Sequence, residues 1–266
     1  METVTSTDGT VIAYERTGSG PAVVLVSGAL CDRHAHDPLA ALLSEHFTVY
    51  NYDRRGRGGS GDNGSLDDPM DRAARQEFDD LDAVVRAAGG RACLFGASSG
   101  AILAWRAAAH GVPAAGVALW EPPYGRTEEE SRAHLDYYAD IRELIAEGRK
   151  DDALARFIRM TGAPEEAMPQ IRREPWWPRV AEIAPTLRYD ACALGDGLLH
   201  PGEFADLTVP VLLMEGEETM EVLHHAADRV REAMPGVRHA LIKGQNHEFE
   251  ADALAPTLVE FFRTAC

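Results

Sequence analysis

The chain has 266 residues, a formal net charge of −17, and 45% hydrophobic against 26% charged residues. That length holds one large α/β domain, or a core domain with an insertion, in the composition range of an ordinary globular protein. The acidic balance argues against nucleic acid or an anionic membrane as partner, and no apolar run approaches the roughly 20 residues of a membrane span.

The N-terminal stretch METVTSTDGTVIAYER has neither a basic nor an apolar region of the kind a signal peptide needs. Cys31, Cys93, Cys192 and Cys266 are scattered without metal-ligand spacing. Four free thiols in a reducing cytoplasm are the expectation. Val4 to Arg16 reads as a hairpin turning at Asp8-Gly9, and Ala22 to Val26 as a β-branched strand covered on both faces. Ser27-Gly28-Ala29-Leu30 follows, then a helix predicted over Pro38 to His46 and a strand over Phe47 to Tyr52. The loop from Asp53 to Gly61 is rich in Gly and Arg. It reads as a flexible linker or a phosphate cradle, and the latter is excluded because the Lys-Ser/Thr of a P-loop is missing. Asp71 to Ala88 carries Phe78, Leu81, Val84 and Val85 at helical spacing and stops at Gly89-Gly90.

Arg91 to Ala109 organises the rest. A short apolar run (Ala92 to Phe95) passes through Gly96-Ala97-Ser98-Ser99-Gly100 into an alanine-rich helical segment. Strand, G-x-S-x-G and helix in that order form a nucleophile elbow: small flanking residues permit a sharp turn that lifts the Ser98 hydroxyl clear of the sheet. It also places Ser98 at a helix N-terminus, which favours developing negative charge.

Gly116 to Trp120 is the next strand, cut off by Glu121-Pro122-Pro123. From about 124 to 207 the β/α rhythm gives way to helical patterns with charged faces at Glu128 to Glu130 and Arg142 to Lys150, expected to be solvated, and a cluster at Pro175-Trp176-Trp177-Pro178. Val209 to Glu215 resumes the strands, Glu221 to Met234 is a helix, Arg238 to Ile242 the last strand, Gly244 to His247 a loop, and Asp252 to Arg263 an amphipathic terminal helix. The alternation implies a mostly parallel twisted sheet wrapped by helices on both faces, one domain over residues 1–266 with a helical insertion.

In this arrangement the chain resembles the α/β-hydrolase superfamily, its serine-nucleophile, lid-bearing esterase and haloperoxidase-like branch, over nearly the whole length. Leu25 to Leu30 is similar to the strand and HG-x segment, with Ser27 in place of the usual His. Asp53, Arg55, Gly56, Gly58 and Ser60 match D-x-R-G-x-G-x-S, GASSG is the elbow, and Gly244-x-x-His247 matches the histidine loop. The resemblance implies Ser98 as nucleophile, His247 as its base, an oxyanion hole from the Ala29 and Ser99 N–H groups, and the insertion as a lid. His34, His36, His224 and His225 read as surface or helical positions with no metal set, and neither metal nor organic cofactor is implied.

The acid departs from the pattern. Thr219 falls about where the resemblance expects an Asp. Glu217 or Glu218 nearby has the longer side chain to reach the histidine. Glu121 is the other choice: it ends an apolar strand, two prolines fix the chain beyond it, and a carboxylate there needs a partner such as His247. Some superfamily members carry their acid at that place. A site with no acid is the remaining option. Leu30, Trp176, Trp177, Tyr137 and Tyr138 line an apolar substrate pocket or simply pack the lid.

The implied function is hydrolysis of a small-molecule ester, lactone or thioester through an acyl-enzyme by a cytoplasmic monomer or homodimer. C–C bond hydrolysis or lysis on the same Ser/His pair, and ligand binding without turnover, are the alternatives.

Overall fold

The computed structural model describes all 266 residues. Its sheet has eight strands in the order β1-β2-β4-β3-β5-β6-β7-β8. They are β1 (Glu2–Thr5), β2 (Val11–Gly18), β3 (Ala22–Val26), β4 (Thr48–Tyr52), β5 (Ala92–Ala97), β6 (Ala114–Trp120), β7 (Val211–Gly216) and β8 (Arg238–Ile242). Strand β2 runs antiparallel to β1 and β4, and every later pairing is parallel. The parallel part places the C-terminal ends of β3, β5, β6 and β7 side by side. At such an edge the loops of an α/β sheet gather their chemistry.

Period-two alternation divides each central strand between two cores. Val24, Val26 and Leu94 face helices α2 (Met70–Ala87) and α3 (Ser99–Ala109), whereas Val23, Leu25, Cys93 and Phe95 face α1 (Asp37–Leu43) and α10 (Ala251–Ala265). Every residue of β5 is buried. A leucine or phenylalanine buried there is worth about 1.5–3 kcal/mol, so the elbow stands on a rigid base.

Between β6 and β7 the chain forms α4 (Glu128–Ala146), α5 (Lys150–Met160), α6 (Met168–Ile171), α7 (Trp177–Ile183) and α8 (Leu187–Leu194); α9 (Glu221–Ala233) then lies between β7 and β8. The insertion has its own core, in which Tyr137, Ile141, Leu154, Trp177 and Leu187 are buried and against which Ala29 and Leu30 pack. Glu130 does more than sit in solvent. It closes a capping box with Thr127 that starts α4.

Two expectations change. The glycine- and arginine-rich loop after β4 is no flexible linker, for Arg54, Arg55 and Arg57 are all buried. The second concerns the cysteines. Cys31 and Cys192 are free, but the sulfurs of Cys93 and Cys266 are bonded, with Cα atoms 6.1 Å apart. Helix α10 lies on the β5–β6 side of the sheet and carries the last residue back to β5, a closure no local spacing reveals.

Candidate active site

Ser98 follows β5 and caps α3 with φ 55° and ψ −123°, outside the region favoured by L-residues. Its N–H donates to the Trp120 carbonyl at 2.8 Å, tying the turn to the neighbouring strand. A Cβ on Gly96 would run into the Gly100 carbonyl, and one on Gly100 into the Val26 carbonyl. The turn is therefore reserved for glycine on both sides of Ser98.

Only three non-glycine residues in the chain have positive φ: Leu30 (57°), Ser98 (55°) and Glu121 (46°). They follow β3, β5 and β6, three adjacent strands. Backbone strain of this kind costs about 1–3 kcal/mol per residue and persists where surrounding structure enforces it, commonly at functional sites.

Glu121 is 1% exposed. Its Oε1 accepts the Gly216 N–H at 2.8 Å, and its Oε2 accepts the Thr219 hydroxyl at 3.0 Å and meets His247 Nδ1 at 2.6 Å. With Glu121 Oε2 as the acceptor, the ring donates from Nδ1–H, which leaves Nε2 as its own acceptor. The His247 carbonyl in turn accepts the Trp120 indole N–H at 3.1 Å. Trp120 thus holds Ser98 through its carbonyl and His247 through its ring. Phe249, two residues beyond His247, anchors the loop among Phe95, Trp120 and His36.

The turn after β7 explains why the other glutamates stand apart from His247. The Glu217 N–H donates to the Ile242 carbonyl and the Glu218 N–H to the Gln245 carbonyl, and both side chains are exposed. Glu217 Oε2 accepts the Gly244 N–H at 3.1 Å instead. Thr219, at the place of the missing acid, supports Glu121 with its hydroxyl.

The Ser27–Leu30 loop lies against the elbow. A Cβ on Gly28 would stand 3.3 Å from the Ser98 Cβ and 3.1 Å from the Ala97 carbonyl, so only glycine fits comfortably. Ala29 and Leu30 are half-buried, and Ser99, at the start of α3, is buried. Of the proposed pocket residues, Trp177 packs inside the insertion and donates its indole N–H to Asp151 at 2.6 Å. Tyr137 is also buried there, and Trp176 is 43% exposed. Tyr137 and Trp177 thus belong to the core of the insertion.

No group of His, Cys, Asp and Glu in the molecule is arranged to hold a metal ion. No helix is long and apolar enough to cross a membrane.

A sheet of this order with a strained serine between β5 and α3 defines the α/β-hydrolase class. The comparisons agree. The model of the alpha/beta hydrolase family matches residues 23–257, and the chain belongs to that family. An alpha/beta hydrolase from Sphaerobacter thermophilus DSM 20745 is 41% identical, with a TM-score of 0.86 over 98% of this chain and 100% of that one. A carboxylesterase structure from the ammonia-oxidizing thaumarchaeon Nitrososphaera gargenis has 15% identity and a TM-score of 0.72 over 99% and 98% of the two chains. The enol-lactonase from Burkholderia xenovorans LB400 has 21% identity and a TM-score of 0.69 over 98% and 100%. These last two likenesses concern the fold. No curated protein matches the sequence.

Proposed function

We propose that the protein is a serine hydrolase of small-molecule carboxylic esters, lactones or thioesters, with Ser98, His247 and Glu121 as its triad. The observation that carries this reading is the 2.6 Å contact between His247 Nδ1 and the buried Glu121, with His247 and the strained Ser98 both tied to Trp120. The fold and the esterase names of several structural neighbours are consistent with it.

In the proposed reaction His247 Nε2 takes the Ser98 hydroxyl proton as Oγ attacks the substrate carbonyl carbon. The N–H groups of Ala29 and Ser99 receive the oxyanion. Collapse expels the alcohol or thiol portion, which leaves with the proton from His247. Water, deprotonated by His247, then attacks the acyl-enzyme, and Ser98 departs with that proton. Glu121 holds the imidazole in the required tautomer and balances its transient positive charge. The insertion over the Ala29–Leu30 loop serves as the lid.

The test is intact mass after exposure to an alkyl fluorophosphonate, together with hydrolysis of p-nitrophenyl esters of graded acyl length. One adduct on the wild type, none on Ser98→Ala, and a loss of turnover of about 10³-fold or more in that variant are expected. A folded wild type that neither labels nor hydrolyses any ester overturns the reading.

A further inference from the structure

Below the elbow lies a buried charge cluster that the proposed triad does not use. Arg57 is 1% exposed. Its Nη1 donates to the Gly28 carbonyl at 2.5 Å and the Cys31 carbonyl at 3.2 Å, and its Nη2 to the two oxygens of Asp190 at 2.9 and 2.8 Å. Arg54 Nη1 spans the Ser27 carbonyl at 3.0 Å and Asp190 Oδ1 at 2.7 Å. Its Nε and Nη2 lie on Glu77 at 2.7 and 2.6 Å. Asp190 Oδ1 also accepts the Ser99 hydroxyl at 2.7 Å.

One carboxylate, presented by α8 of the insertion, thereby reaches both segments assigned to the oxyanion hole. Geometry gives that contact a consequence. In a trans peptide the C=O and N–H point in opposite directions, and the chain has no cis peptide. The carbonyl gripped by Arg57 belongs to the same peptide unit as the Ala29 N–H. Holding that carbonyl toward the cluster turns the Ala29 N–H away from it. On the other segment, Asp190 fixes the side chain of Ser99, whose N–H is the second donor.

We propose that Arg57 and Asp190 are positioning residues that aim the Ala29 and Ser99 N–H groups, so that the insertion sets the oxyanion hole through α8. The inference rests on the oxyanion assignment above. Donors fixed before the reaction need no reorganisation when charge develops. The planar guanidinium suits the task because one fork holds a carbonyl and a carboxylate at once, which a lysine ammonium cannot reproduce.

Arg57→Lys and Ser99→Ala test the proposal against Arg55→Lys. Arg55 is equally buried, bonded twice to Asp80 at 2.7 Å, and its hydrogen bonds go to Asp80, Asp8 and Gln76 instead. Three quantities are read: kcat and KM for p-nitrophenyl acetate, the melting temperature, and the rate of fluorophosphonate labelling, in which Ser98 Oγ displaces fluoride from phosphorus and its proton passes to His247. The expected result is a fall in kcat of about 10- to 100-fold in Arg57→Lys, less in Ser99→Ala, with KM within about twofold and labelling slowed in parallel. Arg55→Lys should melt earlier yet keep its kcat. A loss in Arg57→Lys no larger than in Arg55→Lys, or one confined to KM, overturns the inference while leaving the hydrolase reading intact. A folded wild type that neither labels nor turns over overturns that reading, and the inference with it.

Discussion

Two buried carboxylates flank the elbow, and their partners differ. Glu121 is 1% exposed and Asp190 is 5% exposed. Glu121 faces His247, a ring whose side chain is 35% exposed, together with a hydroxyl and a backbone N–H. Asp190 faces Arg57 and Arg54, both fully buried, and the hydroxyl of Ser99. Burial alone raises the pKa of Asp190, but the Arg57 and Arg54 charges more than undo this and hold it below the usual carboxylate range. A guanidinium does not give up its proton in a protein, so the Asp190 cluster is a frame. In the proposed triad the imidazole passes a proton to and from Ser98, so the Glu121 pair is the one assigned to chemistry.

The comparison is sharpest when each carboxylate becomes an amide. Glu121→Gln should lower kcat by about 10³- to 10⁴-fold, because an amide no longer enforces the Nδ1–H tautomer or balances imidazolium. The fold should survive it, with the urea midpoint little moved. Steady-state kinetics beside a denaturation curve check both halves, and near-wild-type kcat would remove Glu121 from the triad. For Asp190→Asn the larger change is in stability, a loss of about 3–5 kcal/mol, because Arg57 keeps its charge with no carboxylate against it. Equal stability of the two amide variants would refute the division into frame and chemistry.

His36 provides a third case, a buried histidine with no carboxylate hydrogen-bonded to its ring, although Asp37 beside it opposes part of the effect of burial. Its ring lies against Phe95 and Phe249, Nδ1 has no partner, and burial pushes its pKa down to about 4. As pH falls below about 6.5 the unfolded chain takes up a proton that the native ring refuses until about pH 4. The neutral ring's contribution is therefore complete above pH 6.5 and lost as pH falls toward 4. His36→Phe abolishes that loss. Relative to wild type the variant should gain about 3 kcal/mol between pH 7 and pH 4, measured by urea denaturation at both values. A pH-independent difference would show that His36 does not titrate in this window.

The parts of this arrangement that the sequence announces are those written in local pattern. The β-branched run Ala22–Val26 and the glycines around Ser98 specify strand and elbow by themselves, because each residue's neighbours supply the reason for it. Glu121 was one of the legible choices for the acid, marked by the apolar strand before it and the two prolines after it. Arg57 and Asp190 were not legible: 133 residues separate them, and a Gly/Arg loop has the same composition whether its guanidinium groups meet water or a buried carboxylate. The single acid inside the apolar helix LRYDACAL was the available signal, since a charge there demands a partner. Cys93 and Cys266, 173 residues apart, were hidden for the same reason.

Thr219 brings the comparison to its finest scale. It occupies the place where the resemblance puts an aspartate, and its hydroxyl donates to Glu121 Oε2 at 3.0 Å, the oxygen that also meets His247. A residue that lends one hydrogen bond to the acid should matter far less than the acid itself. Thr219→Val keeps the shape and removes the donor, at a cost of about 0.5–1.5 kcal/mol, or roughly two- to tenfold in kcat. Thr219→Asp instead places a second carboxylate beside Glu121, and like charges at that distance resist joint ionisation. It should be more damaging than valine although it restores the residue expected there. If Thr219→Asp matched or exceeded wild-type kcat, the acid would work equally well from β7, and the buried setting of Glu121 would not be what selects it.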